Sequence, residues 1–200
     1  YTGGFNTSVR NNTITGNSSF SNNGFNSFLE GDVTGAGNTY TGNVSFNAAG
    51  GPMYISHIDA LQCTGNLTIN RTAAGFTQAF NAGATINGNF SYTNNTTGGT
   101  FFGNPANKTS IGGTLTISAN YTSPNEFVLY HMVNQTAGGL IDVQNSMGFD
   151  VRIDTLKLSS FSITGYRGGA YGRLWNNDIT GEVTIADDAS YGGAFNTSIR

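Results

Sequence analysis

Gly65-Asn66-Leu67-Thr68-Ile69-Asn70 returns as Gly88-Asn89-Phe90-Ser91-Tyr92-Thr93, and again as Gly113-Thr114-Leu115-Thr116-Ile117-Ser118. Each copy opens on Gly, twice followed by Asn, and continues as apolar and hydroxyl residues in alternation. Side chains of an extended chain alternate faces with period 2, so such a segment is a strand with one face buried. The same signature stands upstream as Gly16-Asn17-Ser18-Ser19-Phe20-Ser21 and Gly42-Asn43-Val44-Ser45-Phe46-Asn47. Weaker copies follow as Leu140-Ile141-Asp142-Val143-Gln144, Ser160-Phe161-Ser162-Ile163-Thr164 and Gly181-Glu182-Val183-Thr184-Ile185-Ala186.

The spacing of these copies predicts how the strands assemble. Their central apolar residues are Phe20, Phe46, Ile69, Tyr92, Ile117, Val143, Ile163 and Ile185, and the gap between neighbours stays between 20 (163 minus 143) and 26 (46 minus 20). One unit of about 24 residues cannot bury its apolar side alone, but stacked units place like residues about 4.8 Å apart over a continuous core. The expected fold is therefore all-β, a parallel β-solenoid (β-helix) of about eight coils of ~24 residues. An antiparallel sandwich also uses short strands and frequent turns, but does not require matching side chains at a fixed period.

In that arrangement the eight central residues form one inward ladder, and the residues two before them form a second. Ser19, Ser45, Thr68, Ser91, Thr116, Asp142, Ser162 and Thr184 face outward between the two. Six residues upstream of the ladder, Ile14, Tyr40, Cys63, Ile86, Ile111, Ala137, Lys157 and Ile179 are expected to share a further column, with Lys157 its misfit at a register change. Gly and Asn supply corners where left-handed backbone is cheap. Asn17, Asn43, Asn66 and Asn89 are expected to form an internal amide ladder at one corner.

A longer period encloses the short one. Tyr1-Thr2-Gly3-Gly4-Phe5-Asn6-Thr7-Ser8-Val9-Arg10 returns as Tyr191-Gly192-Gly193-Ala194-Phe195-Asn196-Thr197-Ser198-Ile199-Arg200, at an offset of 190 residues (191 minus 1). Residues 1–200 are thus expected to be a single repetitive segment, one tandem repeat plus the first ten residues of the next.

Composition excludes several classes. Only 10% of residues are charged and the net charge is −3, so composition gives no reason to expect a basic surface for nucleic acid or anionic lipid. Gly fills 29 of 200 positions, yet aromatics at 12% and regular apolar punctuation argue for a folded chain. Membrane insertion is not expected, because no run of about 18 apolar residues occurs. Cys63 is the single cysteine and has no disulfide partner within the chain.

The units TGNxSF and TGNxTI, the run Asn81-Ala82-Gly83-Ala84-Thr85-Ile86-Asn87-Gly88-Asn89-Phe90-Ser91-Tyr92 and the long period together resemble the β-strand-repeat modules of very large secreted surface proteins of the Bacteroidota. That group includes adhesins exported by the type IX system and, more loosely, gliding adhesins. The resemblance implies an extracellular, repetitive, cell-surface role and transfers no catalytic residue.

Catalytic and metal chemistry find little support. Solenoid hydrolases need two carboxylates within about 5 to 10 Å, but Asp32, Asp59, Asp142, Asp154, Asp178 and Asp187 sit at different offsets from the ladder. His57 and His131 lack partners at ligand spacing, and Cys63 occupies an apolar column, so no catalytic residue, metal or cofactor is expected. Asp154-Thr155-Leu156 matches a short O-glycosylation signal of these bacteria. The most suggestive cluster lies in Tyr166-Arg167-Gly168-Gly169-Ala170-Tyr171-Gly172-Arg173-Leu174-Trp175. Tyr166, Arg167, Tyr171, Arg173 and Trp175 are the candidate ligand-binding residues, since exposed aromatics beside Arg stack on sugars or anchor proteins.

The function expected is a non-enzymatic structural and adhesive module of an extracellular surface fibre. Its partners would be adjacent copies of the same repeat end to end, with sister fibres, glycans or solid surfaces beyond them. A carbohydrate-binding or polysaccharide-degrading β-helix is one alternative. An ice-binding solenoid is another, because the outward hydroxyl column and its neighbour two residues on make a two-file array on a flat face.

Overall fold

A computed structural model of the chain describes residues 7–23, 28–30, 37–51, 53–55, 61–152, 155–168, 171–191 and 197–200. Every regular element among them is a β-strand, and every strand pair is parallel. Together they wind a three-faced β-solenoid. A short face holds Thr13–Ile14, Thr39–Tyr40, Leu61–Cys63, Ala84–Ile86, Thr109–Ile111 and Met132–Asn134. A ladder face follows in each coil, with Ser18–Asn22, Val44–Ala48, Leu67–Arg71, Phe90–Asn94, the first parts of Leu115–Tyr130 and Gly139–Arg152, then Lys157–Tyr166 and Asp178–Asp187. A third, long face runs from Thr7–Val9 to Thr197–Ile199.

The long face carries the long period in its register. Thr7 pairs with Phe28, then in succession come Met53, Thr77, Thr100, Phe127, Phe149, Gly172 and Thr197. The step along this file varies between 21 (28 minus 7) and 27 (127 minus 100). Thr7 and Thr197, equivalent in the sequence repeat, therefore stand on one file separated by eight coils. Variable coil length is absorbed at the corners, so the repeat survives as a structural position although no single coil length does.

The inward ladder forms as the alternation requires. Phe20, Phe46, Ile69, Tyr92 and Ile117 pair in sequence, and the last four are fully buried. Phe20 stacks on Phe46 at 5.3 Å, and Phe102 meets Tyr92 edge-on at 4.7 Å. The sequence spacing misplaces the next step. Ile117 faces Ile141, and Val143 faces Ala119, a slip of two residues that keeps every side chain on its own face. Beyond it Val143, Ile163 and Ile185 do share a file.

That slip also reorders the outward files. Thr116 is followed by Leu140 and Ser160, whereas Asp142 follows Ser118 and leads to Ser162 and Thr184. The hydroxyl column is thus interrupted by Leu140 and ends at Glu182. On the short face Ile111 pairs with Asn134 rather than Ala137, and at the start of the last two ladder-face strands Ile179 pairs with Leu158 rather than Lys157. Leu158 is buried where Lys157 is half-exposed, so the apparent misfit is an offset of one residue.

The Gly-Asn corner has a tighter logic than left-handed backbone. Only Gly16 of the corner glycines has a positive φ, +88°. Gly65 and Gly88 are needed because a Cβ there would lie 2.6 Å from the carbonyl oxygen of the corner glycine one coil below. The Asn ladder exists, but on the exposed surface rather than inside. The Oδ1 atoms of Asn17, Asn43, Asn66 and Asn89 each accept the N–H of the residue stacked above, at 2.9, 2.8, 2.8 and 2.9 Å.

Two corners are built differently. Leu115–Tyr130 and Gly139–Arg152 pass from ladder face to long face as single strands, with register shifts around Asn125. Arg71 ends its strand pointing inward and is fully buried. Its Nη2 donates to the carbonyls of Gly50, Gly51 and Ala74, capping a corner whose carbonyls need a donor of that reach.

Candidate functional site

The candidate residues divide in the structure. Tyr166 is 1% exposed and meets Phe149 edge-on at 5.3 Å, so it belongs to the core. Burial pushes its phenol pKa up. Arg167 turns to a separate ion pair, Nε to Asp188 Oδ2 at 2.9 Å. Tyr171, Arg173 and Trp175 do come together on the long face, but with partners from other coils.

Pairing in register explains the assembly. Val128, Asp150, Arg173 and Ser198 stack on one outward file, and Tyr130 pairs with Arg152 on the next. Trp175 and Arg200 continue that second file, since Trp175 N donates to Val151 O and Arg200 N to Leu174 O, both at 3.0 Å. The second file thus alternates aromatic and guanidinium: Tyr130, Arg152, Trp175, Arg200. The Arg152 guanidinium lies 5.0 Å from the Tyr130 ring centre and 5.9 Å from that of Trp175, and Arg200 lies 5.0 Å from Trp175. Arg173 lies 4.9 Å from Tyr171 and 5.8 Å from Trp175. Each approach falls within the range of cation–π attraction.

Asp150 anchors the cluster. Its carboxylate is completely buried although it sits on an outward file. Oδ2 accepts from the Tyr130 hydroxyl at 2.8 Å and from Arg173 Nη1 at 3.1 Å. Arg152 Nε approaches Oδ1 at 3.1 Å as a charge contact without hydrogen-bond alignment, and its Nη2 donates to the Tyr130 hydroxyl at 3.2 Å. Burial raises the Tyr130 phenol, and so does the neighbouring Asp150 charge, while the bond from Arg152 opposes them. Trp175 Nε1 donates to Ser198 Oγ at 3.2 Å. Chemically the arrangement is a basic strip stiffened by aromatic rings, with three guanidiniums and one neutralising carboxylate.

The linear sequence shows Tyr171, Arg173 and Trp175 close together, but Tyr130, Asp150, Arg152 and Arg200 reach them only through coil stacking. Their signal is the coil period itself, since Asp150 precedes Arg173 by one coil, and Arg152 precedes Trp175 by the same interval (173 minus 150 equals 175 minus 152).

Other candidates stay apart. Among the described residues no three His, Cys, Asp or Glu side chains gather as a metal site. Cys63 is buried in its apolar column and burial raises its thiol pKa. His131 adopts a positive φ of 54° at a corner. His57, Asp32, Asp59 and Asp154 lie outside the described residues, as does part of the Asp154-Thr155-Leu156 signal. Among the described residues no helix is long and apolar enough to cross a membrane. Compared with known proteins, the chain matches no protein family, no curated protein and no solved structure.

Proposed function

We propose that the chain is a non-enzymatic structural and adhesive module of an extracellular fibre, in which copies of the unit that spans residues 1–190 stack end to end. The observation that supports this reading most is the placement of Thr7 and Thr197, equivalent in sequence, on one file eight coils apart. A unit whose end repeats its beginning, at the same position of the same sheet, is built to be followed by itself.

The outer strands fit that role. Asp178–Asp187 is the last rung of the ladder face, and Val183 is 44% exposed on it. Advancing the repeat by one unit sets Ser18 over Val183 and Phe20 over Ile185, which continues the apolar ladder and pairs the strand edge. Eight coils at about 4.8 Å give an advance of roughly 40 Å per unit.

The test joins two units in one chain, residues 1–190 followed by residues 1–200, with Val183→Cys in the first unit and Ser18→Cys in the second. A continuous solenoid forms the cross-link under mild oxidation, and small-angle scattering shows a rod longer than the single unit by the rise of eight further coils. Two independently tumbling bodies without the cross-link refute the reading.

A further inference from the structure

The long face turns basic at one end. Its outward positions at Gln78, Phe101 and Val128 carry no charge, and the rungs that follow bring in Arg152, Arg173 and Arg200. The chain has six arginines and a net charge of −3, so half of its guanidiniums occupy one strip of an otherwise weakly charged surface. Asp150 offsets one of the three.

The aromatic rings here do not offer free faces to a ligand. Trp175 has three guanidiniums within 5.9 Å of its ring centre, and Tyr130 and Tyr171 hold one each. What remains unspent is N–H capacity. Among the described residues Arg152 Nη1, Arg173 Nε and Nη2 and the Arg200 guanidinium donate no hydrogen bond within the chain. The side chains of Arg152 and Arg173 are 29% and 34% exposed, held by Asp150 and the rings but open to solvent. Guanidiniums fixed in this way have already lost rotamer freedom, and their planar forks match carboxylate and sulfate oxygens.

We infer that this strip binds a linear acidic polysaccharide through its carboxylate or sulfate groups, with Arg152, Arg173 and Arg200 as the recognising residues. Arg152 and Arg200 share a file two coils apart, about 10 Å, a spacing that suits an extended chain with one acidic group per two sugars. Arg173 lies between them on the neighbouring file and can meet a further oxyanion. Nucleic acid fits less well, because single strands need free ring faces for base stacking and a continuous basic track. This inference does not depend on end-to-end stacking of separate chains, since all three arginines lie within residues 152–200 of the one chain.

The test measures retention of the full chain on immobilised polygalacturonate and on dextran sulfate, with neutral dextran as the blank. Two variants remove the same charge from different places: Arg200→Gln in the strip and Lys157→Gln on the ladder face. Arg200 makes no ion pair with Asp150, and circular dichroism checks that both variants keep the fold. Retention above the blank on either polyanion, weakened roughly tenfold by Arg200→Gln and unchanged by Lys157→Gln, supports the site, and the matrix that retains better names the anionic group. Retention no greater than on dextran overturns it. So does equal weakening by the two variants, or displacement of the glycan by polyadenylate or polyglutamate at equal charge concentration, since either marks unspecific attraction.

Discussion

Replacing Gly65 by Ala tests whether close coil approach, rather than backbone freedom, fixes the Gly-Asn corner. The new methyl carbon would lie 2.6 Å from both Gly42 O and Asn43 Oδ1. Carbon and oxygen rest comfortably at about 3.3 Å, so the corner must open by about 0.7 Å. Two bonds cross that gap, Asn66 N to Asn43 Oδ1 and Val44 N to Asn66 O, each at 2.8 Å. Stretched by that amount, both reach about 3.5 Å and cease to count as hydrogen bonds. At about 1 kcal/mol each, with lost packing added, the cost is about 2 to 3 kcal/mol.

Asn66→Ala removes the side-chain acceptor of Asn89 N–H from the same corner without forcing the coils apart. Asn89 is exposed, so water replaces the lost acceptor and the cost is only about 0.5 to 1.5 kcal/mol. For a chain of this size 1 kcal/mol corresponds to about 2 to 4 °C in Tm. Gly65→Ala should therefore lower Tm by about 4 to 12 °C, and Asn66→Ala by about 1 to 6 °C. Stacked repeats can lose cooperativity, so hydrogen exchange at the Asn66 and Asn89 amides accompanies the melting curve. A Gly65→Ala protein that melts with the wild type, or an Asn66→Ala protein that melts below the Gly65→Ala protein, refutes the close-approach argument.

Other substitutions read other parts of the fold. Ile69→Ala, within the buried ladder between Phe46 and Tyr92, should cost about 2 to 5 kcal/mol, while Thr68→Ala on the outward file should stay within about 0.5 kcal/mol; equal effects in chemical denaturation would contradict the assigned faces. Asp150→Asn should cost about 2 kcal/mol, less than breaking a fully buried pair because both arginines are partly hydrated, and should tighten polyanion retention; loss of both stability and retention would mean that Asp150 positions the arginines for binding. Burial raises the phenol of Tyr92 and pushes that of Tyr121 well above its ordinary value. The fold thus keeps protons that the unfolded chain releases, so stability is intact below about pH 10 and falls as pH rises beyond it. Tyr121→Phe should move alkaline unfolding upward in tyrosinate absorbance titrations while costing about 1 kcal/mol at neutral pH for its bond to Thr100; an unchanged alkaline midpoint would assign that transition to other groups.

How much of this is legible in the sequence follows from what each feature depends on. The ladder from Phe20 to Ile117 depends on period 2 within a strand and on the Gly-Asn mark that starts it, and both are local. The step from Ile117 to Ile141 carries no such mark, because Gly139-Leu140 replaces the Gly-Asn pair, and alternation alone cannot distinguish a register from one shifted by two. The slip is therefore invisible to the pattern that reveals the fold. Arg71 is hidden for a related reason. It ends a strand of alternating residues on the buried face, where composition argues against a cation, and only the carbonyls of Gly50, Gly51 and Ala74 gathered around it make the position tenable.

The basic strip shows the same division between local and stacked information. Trp175 stands two residues from Arg173, and that pairing marks the right segment, but a contiguous segment of a solenoid supplies only one rung of any surface. Residues that act together lie one coil apart, so Asp150 must be sought one coil before Arg173 and Arg152 one coil before Trp175. Tyr166 fails by the same rule. It is close to Trp175 along the chain, but it ends a ladder-face strand with its side chain packed on Phe149, and sequence proximity does not bring it out of the core. In a fold of this kind a functional surface is legible only after the coil register is known, and an error of two residues in that register exchanges Asp142 for Leu140 on an outward file while leaving the buried ladder apolar.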